Sequence, residues 1–306
     1  MRKRRQSELM DYQKLSCIIP IGPNHRNNQN LLQSLSSDLG STQYILVFDN
    51  TPIEIKKELN EFSKKKTWIT TIEINSRSPG GARNAGIKKC RTPWVTFFDA
   101  DDLFNTRVIK EYLAQSTNQI DAMVFNYAIQ DSSHEIPGKV LEDSSGNILD
   151  FNRSQIAMNP GIWRWVFNFE KIKNCRFYEL RMGEDILFLI EFLLEVRQLH
   201  FIPNIFYKYN KENLFQLTKS KDAIQDLLSA LAISLQIFSK NQKTTPNFDI
   251  RVDLTSDLLY ACLKHLKWKN KSKAIMSFLG FAFESLSNLK VAMRILISRL
   301  RIKYDY

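Results

Sequence analysis

Trp94-Val95-Thr96-Phe97-Phe98-Asp99-Ala100-Asp101-Asp102 decides how the rest of the chain is read. Five β-branched or aromatic residues make a buried strand, and three carboxylates stand where that strand must end. If the backbone stays extended through Ala100, the period of two puts Asp99 and Asp101 on one face, about 6–7 Å apart. Two acids sharing a site repel unless a cation lies between them. A hard divalent ion, Mg2+ or Mn2+, bridging to a diphosphate suits the pair, because both ions take carboxylate and phosphate oxygens. The plainer reading is an Asp-rich turn, with Asn105 or Asp102 capping a helix from Thr106 to about Gln115.

On the N-terminal side, strand and helix signals alternate. Leu15 to Ile21 is an apolar run stopped by Pro20 and followed by Gly22-Pro23-Asn24, and Tyr44 to Phe48 is closed by Asp49-Asn50-Thr51-Pro52. Thr70 to Ile74 is a third strand. Between them, Asn30 to Leu39, Ile55 to Phe62 and Gly80 to Cys90 read as helices. Such alternation implies parallel βαβ units, and ligands then bind outside the carboxyl ends of the strands. Those ends are polar here, so a nucleotide crevice is expected. Ser78-Pro79-Gly80-Gly81-Ala82-Arg83-Asn84 enters the third helix. It reads either as an anion site with Arg77 and Arg83 as forks or as a plain loop-to-helix junction. It matches neither GxxxxGK[ST] nor GxGxxG, which argues against a P-loop and an ordinary dinucleotide fold.

Beyond the acidic stretch, Ala122 to Tyr127 makes another strand, and Glu142 to Asn152 reads as a loop or edge hairpin. Trp163 and Trp165, alternating with Phe167 and Phe169, read as core packing, with a platform for sugar rings as the alternative. Gly183-Glu184-Asp185 opens an apolar helix, where acids favour the helix dipole or, functionally, provide a general base. From Thr218 the pattern is helical. Its last part, Lys290 to Tyr304, mixes bulky apolar residues with cations. It fits either a helix on an anionic membrane surface or one packed on the domain with snorkelling cations.

The chain has 306 residues, 43% apolar, and a formal net charge of +11. That charge points to nucleic acid, a membrane surface or anionic substrates. The cations are spread along the chain rather than gathered in a stripe with aromatics, which argues against nucleic acid. Cys17, Cys90, Cys175 and Cys262 lack CxxC spacing and suit a reducing compartment. The basic start Met1-Arg2-Lys3-Arg4-Arg5 runs into polar residues instead of a signal-peptide core, and no run is long enough to span a membrane. A cytoplasmic protein is expected.

Five pieces, in order, resemble family 2 glycosyltransferases of the GT-A fold: Cys17-Ile18-Ile19-Pro20, Val47-Phe48-Asp49-Asn50, Gly81 to Ile87, Phe98-Asp99-Ala100-Asp101-Asp102 as a DxD motif, and Gly183-Glu184-Asp185. Ile21-Gly22-Pro23-Asn24 and Asn50-Thr51-Pro52 depart from the family's usual loops. The resemblance implies a Rossmann-like, mostly parallel α/β sheet flanked by helices over residues 15–215, with a nucleotide-sugar half at 15–130 and an acceptor half at 131–215. A basic tail, 1–14, precedes it and a C-terminal α-helical extension, 216–306, follows. It implies inverting transfer of a sugar from a nucleotide-diphosphate donor, UDP-type, to a glycan or lipid-linked acceptor. In that reading Pro20, Asp49, Arg77, Arg83, Asp99 and Asp101 bind the nucleotide-sugar, and Mn2+ or Mg2+ sits on Asp101 and Asp99. Asp185, or failing that Glu184, is the base, and Trp163, Trp165 and Glu184 border the acceptor. A bacterial cell-surface polysaccharide context follows, with the protein cytoplasmic or peripheral on the inner membrane face. The rivals are an inactive GT-A-like scaffold at the membrane and a nucleotidyltransferase, although Ile21 to Asn28 lacks the latter's lysine.

Overall fold

A computed structural model describes residues 14–38, 40–115, 120–130, 135–137, 159–210, 221–241 and 247–304. The expected tail before residue 14, Leu39 at the end of the first helix, and the Glu142 to Asn152 loop lie outside them.

Near-continuous apolar runs need cover on both faces, and the first half of the chain provides it. Strand β1 (Leu15–Ile21) lies between β2 (Thr42–Asp49) and β4 (Trp94–Phe97), with β3 (Ile69–Ile74) beside β2, all parallel. β2 and β4 are buried at every position and β1 at all but Pro20, as a central parallel strand requires. Helices α1 (Gln29–Ser36), α2 (Ile53–Ser63) and α3 (Pro79–Ile87) connect them, differing from the expected helices only at their ends. Gly86 is obligatory: a Cβ there would stand 2.3 Å from Ile18 Cγ2, so α3 rests directly on β1.

Past β4 the sheet is mixed rather than mostly parallel. β8 (Trp165–Asn168) enters antiparallel between β4 and β6 (Ala122–Gln130). β9 (Leu199–Asn210) runs parallel to β6, and the short β5 (Leu103–Phe104) and β7 (Glu135–Pro137) pair antiparallel with β9 and β6. Among the described residues these nine strands form one sheet, accompanied by α4 (Thr106–Gln115) and α5 (Phe169–Ile172).

A second compact unit is helical and contains α6 (Glu184–Phe192), α7 (Lys221–Lys240), α8 (Phe248–His265), α9 (Trp268–Glu284) and α10 (Leu286–Tyr304). The C-terminal helical extension is therefore present, and α6 groups with it rather than with the sheet. The segment entering α6 is tied down by Arg181, whose backbone N–H and Nε donate to Asp226 Oδ2 at 2.9 and 3.0 Å. Inside this unit the Arg251 guanidinium is buried without a hydrogen-bond partner among the described residues, over the Phe238 ring at 4.7 Å, and burial lowers its pKa to about 10.

One carboxylate joins three elements of the sheet unit. Asp38 Oδ1 accepts from the backbone of Gly40 and Ser41 at 2.9 and 3.1 Å. Its Oδ2 accepts from Thr42 Oγ1 at 2.6 Å, Tyr44 Oη at 3.1 Å, Thr106 Oγ1 at 2.8 Å and Lys110 Nζ at 3.0 Å. Burial works to raise this carboxyl, but the bonds from Thr42, Thr106 and Lys110 outweigh it and hold it down at about 2. A depressed carboxylate stabilises above its unfolded value and loses that contribution as pH falls through the folded one. Asp38→Asn is therefore expected to cost about 2 kcal/mol at neutral pH, with the gap to wild type closing between pH ~4 and ~2. Urea unfolding at several pH values reads this; a gap that stays constant across that window would remove Asp38 from this role.

Candidate functional site

Parallel strands put their carboxyl ends on one side, so the register aligns Ile21 with Phe48, Asp49 with Ile74, and Ile18 with Phe97. The acidic stretch leaves the sheet at that level. The strand stops at Phe97, and the Asp102 N–H donates to the Asp99 carbonyl at 3.3 Å. This closes a turn over Ala100 and Asp101, so the expectation of extended backbone through Ala100 fails: Asp99 and Asp101 are presented by a turn, not by one strand face. Asn105, whose Oδ1 accepts from Arg107 N–H at 3.1 Å, is the residue that caps α4.

Asp102 has a different task. Its carboxylate is buried, accepting from Tyr207 Oη on one oxygen and from Asn210 N–H at 2.6 Å on the other. Tyr207 Oη also accepts from Asp99 N–H at 3.3 Å. Asn30 Nδ2 donates to the Asp101 carbonyl at 2.8 Å, so α1 holds the turn from the other side. Burial pushes the Asp102 carboxyl up, and the charges of Asp101 and Asp99 push it further. The sequence reading missed Tyr207, Asn210 and Asn30, since only the fold brings them to the turn.

Arg83 projects from α3 to Asp99, Nη2 to Oδ1 at 3.1 Å; its side chain is 4% exposed and that of Asp99 36%. The pair joins the glycine-entered helix to the acidic turn. Asp49, expected to hold base or ribose, is instead committed to the protein. Its oxygens accept from Ser76 N–H at 2.9 Å, Ser76 Oγ at 2.7 Å, Arg77 N–H at 3.0 Å and Ser78 N–H at 3.2 Å, and the residue is buried. The carboxylate clamps the loop after β3. Asn50 and Arg77, on either side of that clamp, both have positive φ, 55° and 59°. Strained residues of this kind gather at binding sites, and Arg77 keeps an exposed side chain. Gly81, read as allowing close approach to a ligand, has another reason: a Cβ there would meet Ser76 Cβ at 2.5 Å, and its N–H already donates to Ser78 Oγ at 3.1 Å. Pro20 is half-buried within β1, paired with Val47.

The tryptophans are core, which corrects the acceptor platform. Trp165 is 0% exposed and stacked on Phe167, and Trp163 is buried with its ring parallel to Tyr207 at 4.5 Å. Trp163 thus braces the tyrosine that holds the acidic turn. In the helical unit, Gly183 caps α6 with φ 87° beneath Ala230, where a Cβ would come within 2.8 Å. Glu184 and Asp185 occupy the first turn, Glu184 buried and Asp185 half-buried.

Among the described residues no three His, Cys, Asp or Glu side chains cluster to hold a metal by themselves. Asp99 and Asp101 fit a hard dication as partial ligands, with phosphate oxygens completing the shell. The repulsion that raises Asp102 is what such a charge would relieve.

A parallel half-sheet with paired carboxylates at its carboxyl ends, continued by a mixed half, is the GT-A architecture. The model of Glycosyl transferase family 2 matches residues 21–192, more than half of the chain, and the chain belongs to that family. It is 26% identical over 193 residues to the poly(ribitol-phosphate) beta-N-acetylglucosaminyltransferase TarP of Staphylococcus aureus (strain N315), an alignment covering 59% of this chain and 58% of TarP. To TarS of S. aureus (strain Mu50 / ATCC 700699) it is 23% identical over 64% of this chain, spanning 35% of that protein. The crystal structure of S. aureus TarS 1-349 in complex with UDP-GlcNAc superimposes with a TM-score of 0.73 at 18% identity, over 88% of this chain and 81% of that one.

Tyr207→Phe keeps the ring on Trp163 and removes the hydroxyl from Asp102. It is expected to cost about 1–3 kcal/mol, because a buried carboxylate loses a donor. Chemical denaturation measures it, and a change below about 0.5 kcal/mol would mean the turn is held without Tyr207.

Proposed function

We propose that the chain transfers a sugar from a nucleoside-diphosphate donor of UDP type to a hydroxyl of a glycan or lipid-linked acceptor, with inversion, in the assembly of a bacterial cell-surface polysaccharide. The observation that carries the reading is the Arg83–Asp99 pair on the turn that also presents Asp101, at the carboxyl ends of the parallel strands of a family 2 chain. The UDP-GlcNAc complex of TarS and the names of TarP and TarS support the donor class.

In this reading Arg77 meets the base or diphosphate, Asp99 oriented by Arg83 meets the ribose side, and Asp49 acts indirectly through the loop it clamps. Pro20 borders the nucleotide at the end of β1. Asp101 and Asp99 would hold Mn2+ or Mg2+, which would neutralise charge on the departing diphosphate. Support for a metal also comes from the mannosyltransferase PcManGT of Pyrobaculum calidifontis in complex with GDP-Man and Mn2+, with a TM-score of 0.50 at 10% identity, covering 99% of this chain and 94% of that one. Asp185 takes the proton of the acceptor hydroxyl as that oxygen bonds to the anomeric carbon and the bond to the diphosphate breaks. One carboxylate suffices for a single displacement. Asp185 is preferred to Glu184 because it keeps exposed surface at the rigid start of α6.

Thermal unfolding with UDP, UDP-GlcNAc and GDP-Man, with and without Mn2+, tests the donor reading. Stabilisation of about 5 °C or more is expected with a uridine nucleotide at a hundredfold excess over Kd, only with metal, and lost in Asp101→Ala. No shift with any nucleotide would sink the proposal in favour of an inactive scaffold. Asp185→Asn is expected to keep donor affinity while turnover falls about 10²–10⁴-fold; near-normal turnover would move the base to another residue.

A further inference from the structure

An ordinary surface helix has one apolar face, turned inward. Helices α9 and α10 each have two. On α9 the inward face is Ala274, Phe278, Phe281 and Ala282, all buried. On the opposite side Met276, Leu279 and Phe283, spaced i, i+3, i+7, are 66%, 40% and 79% exposed, and Trp268 at the helix start is 82% exposed. On α10, Val291, Ala292 and Ile295 are buried while Leu286, Leu289 and Met293 repeat the same spacing outward. Only Ser285 separates the two helices, which pack on each other, so Phe283 and Leu286 form an apolar corner. Exposed apolar surface of this extent marks an interaction site.

Charge selects the occupant. Between Trp268 and Tyr304 the chain carries eight Lys or Arg against one acid, Glu284. That acid is engaged by Asn288 Nδ2 and Ser239 Oγ, both at 2.9 Å. Lys269 and Lys273 lie exposed along one border of the α9 band, and Lys290 along one border of the α10 band beside Arg294, which is ion-paired with Asp249 at 3.3 Å. A second copy docking through this face would bring like charges together, whereas an anionic lipid surface complements both the apolar centre and the cationic border. Trp268 is a residue type that settles at headgroup level, and Phe283 one that an interfacial helix buries in the lipid boundary. Among the described residues no helix is long and apolar enough to cross a membrane.

We propose that the outer face of α9 and α10 docks the protein on anionic phospholipid, inserting the Phe283–Leu286 corner. The sequence alone offered this for the final helix only, as one of two readings; the structure adds α9 and the corner. The inference stands whatever the donor sugar is.

Co-sedimentation of the full chain with vesicles of phosphatidylglycerol and phosphatidylcholine (30:70), against phosphatidylcholine alone, tests it. Binding is expected only to the anionic vesicles. Lys269→Gln with Lys273→Gln should weaken it about twenty-five-fold, from roughly a factor of five per near-surface cation. Phe283→Ser with Leu286→Ser should weaken it at least about tenfold without lowering Tm, because both side chains are exposed and inessential to the core. Equal binding by variants and wild type, or no binding by wild type, would overturn the proposal. So would sedimentation of wild type as a dimer that Phe283→Ser with Leu286→Ser converts to monomer, since the face would then be a protein interface.

Discussion

Like charges packed into four residues are the constraint around which the sheet unit is arranged. Asp99, Asp101 and Asp102 repel one another at a turn with little water around its innermost member. Left alone, such a turn would open to solvent. It is held by donors from three elements: Tyr207 and Asn210 from β9, Asn30 from α1 and Arg83 from α3. Each of these elements is fixed by ordinary packing. β9 is locked beside β6, α3 lies on β1 through Gly86, and Trp163 stacks on Tyr207. The apolar core thus stabilises an electrostatically unfavourable arrangement, the usual way in which a binding site is kept ready for a cationic or charge-neutralising ligand.

Local pattern made the parallel half legible. Leu15 to Ile21 and Trp94 to Phe97 are dense in residues that pleated, doubly covered strands favour, and Gly, Pro and Asn mark the loops between. Asp99 and Asp101 could be picked out because carboxylates directly after such a run have a short range of explanations. The remainder of the site was not legible, and the reason is sequence distance: Tyr207 and Asn210 lie over a hundred residues from Asp102, and nothing near them in sequence marks their partner. Asp49 shows a subtler limit. Its position at a strand end was correct, but whether its carboxylate faces a ligand or its own loop depends on the left-handed backbone at Asn50 and Arg77, which no composition rule assigns to those residue types with force. The mixed half escaped for a further reason, since β8 is four residues long and inserts antiparallel after the alternation of strand and helix has lapsed.

The helical unit departs from common packing twice. Within it Arg251 is buried against Phe238, a cation satisfied by a ring face rather than by oxygen acceptors. On its surface, α9 and α10 leave apolar rows exposed. The first departure costs stability and the second costs solubility, and both fall in the unit that carries Asp185. The final helix also shows that two readings of one segment need not exclude each other, because α10 packs inward through Val291 and Ile295 while its other side remains apolar and cationic.

The clamp at Asp49 separates the shape of a loop from the chemistry the loop displays. Because the carboxylate grips mainly backbone N–H groups of residues 76–78, the path of that loop owes little to the Arg77 side chain. Mutation at position 77 can therefore explore new contacts while the chain trace stays put, provided the newcomer tolerates the left-handed backbone. Descendants of such a protein would be expected to vary the side chain at position 77 more readily than Ser76 or Asp49, so diversification in evolution and in directed engineering starts from the same residue.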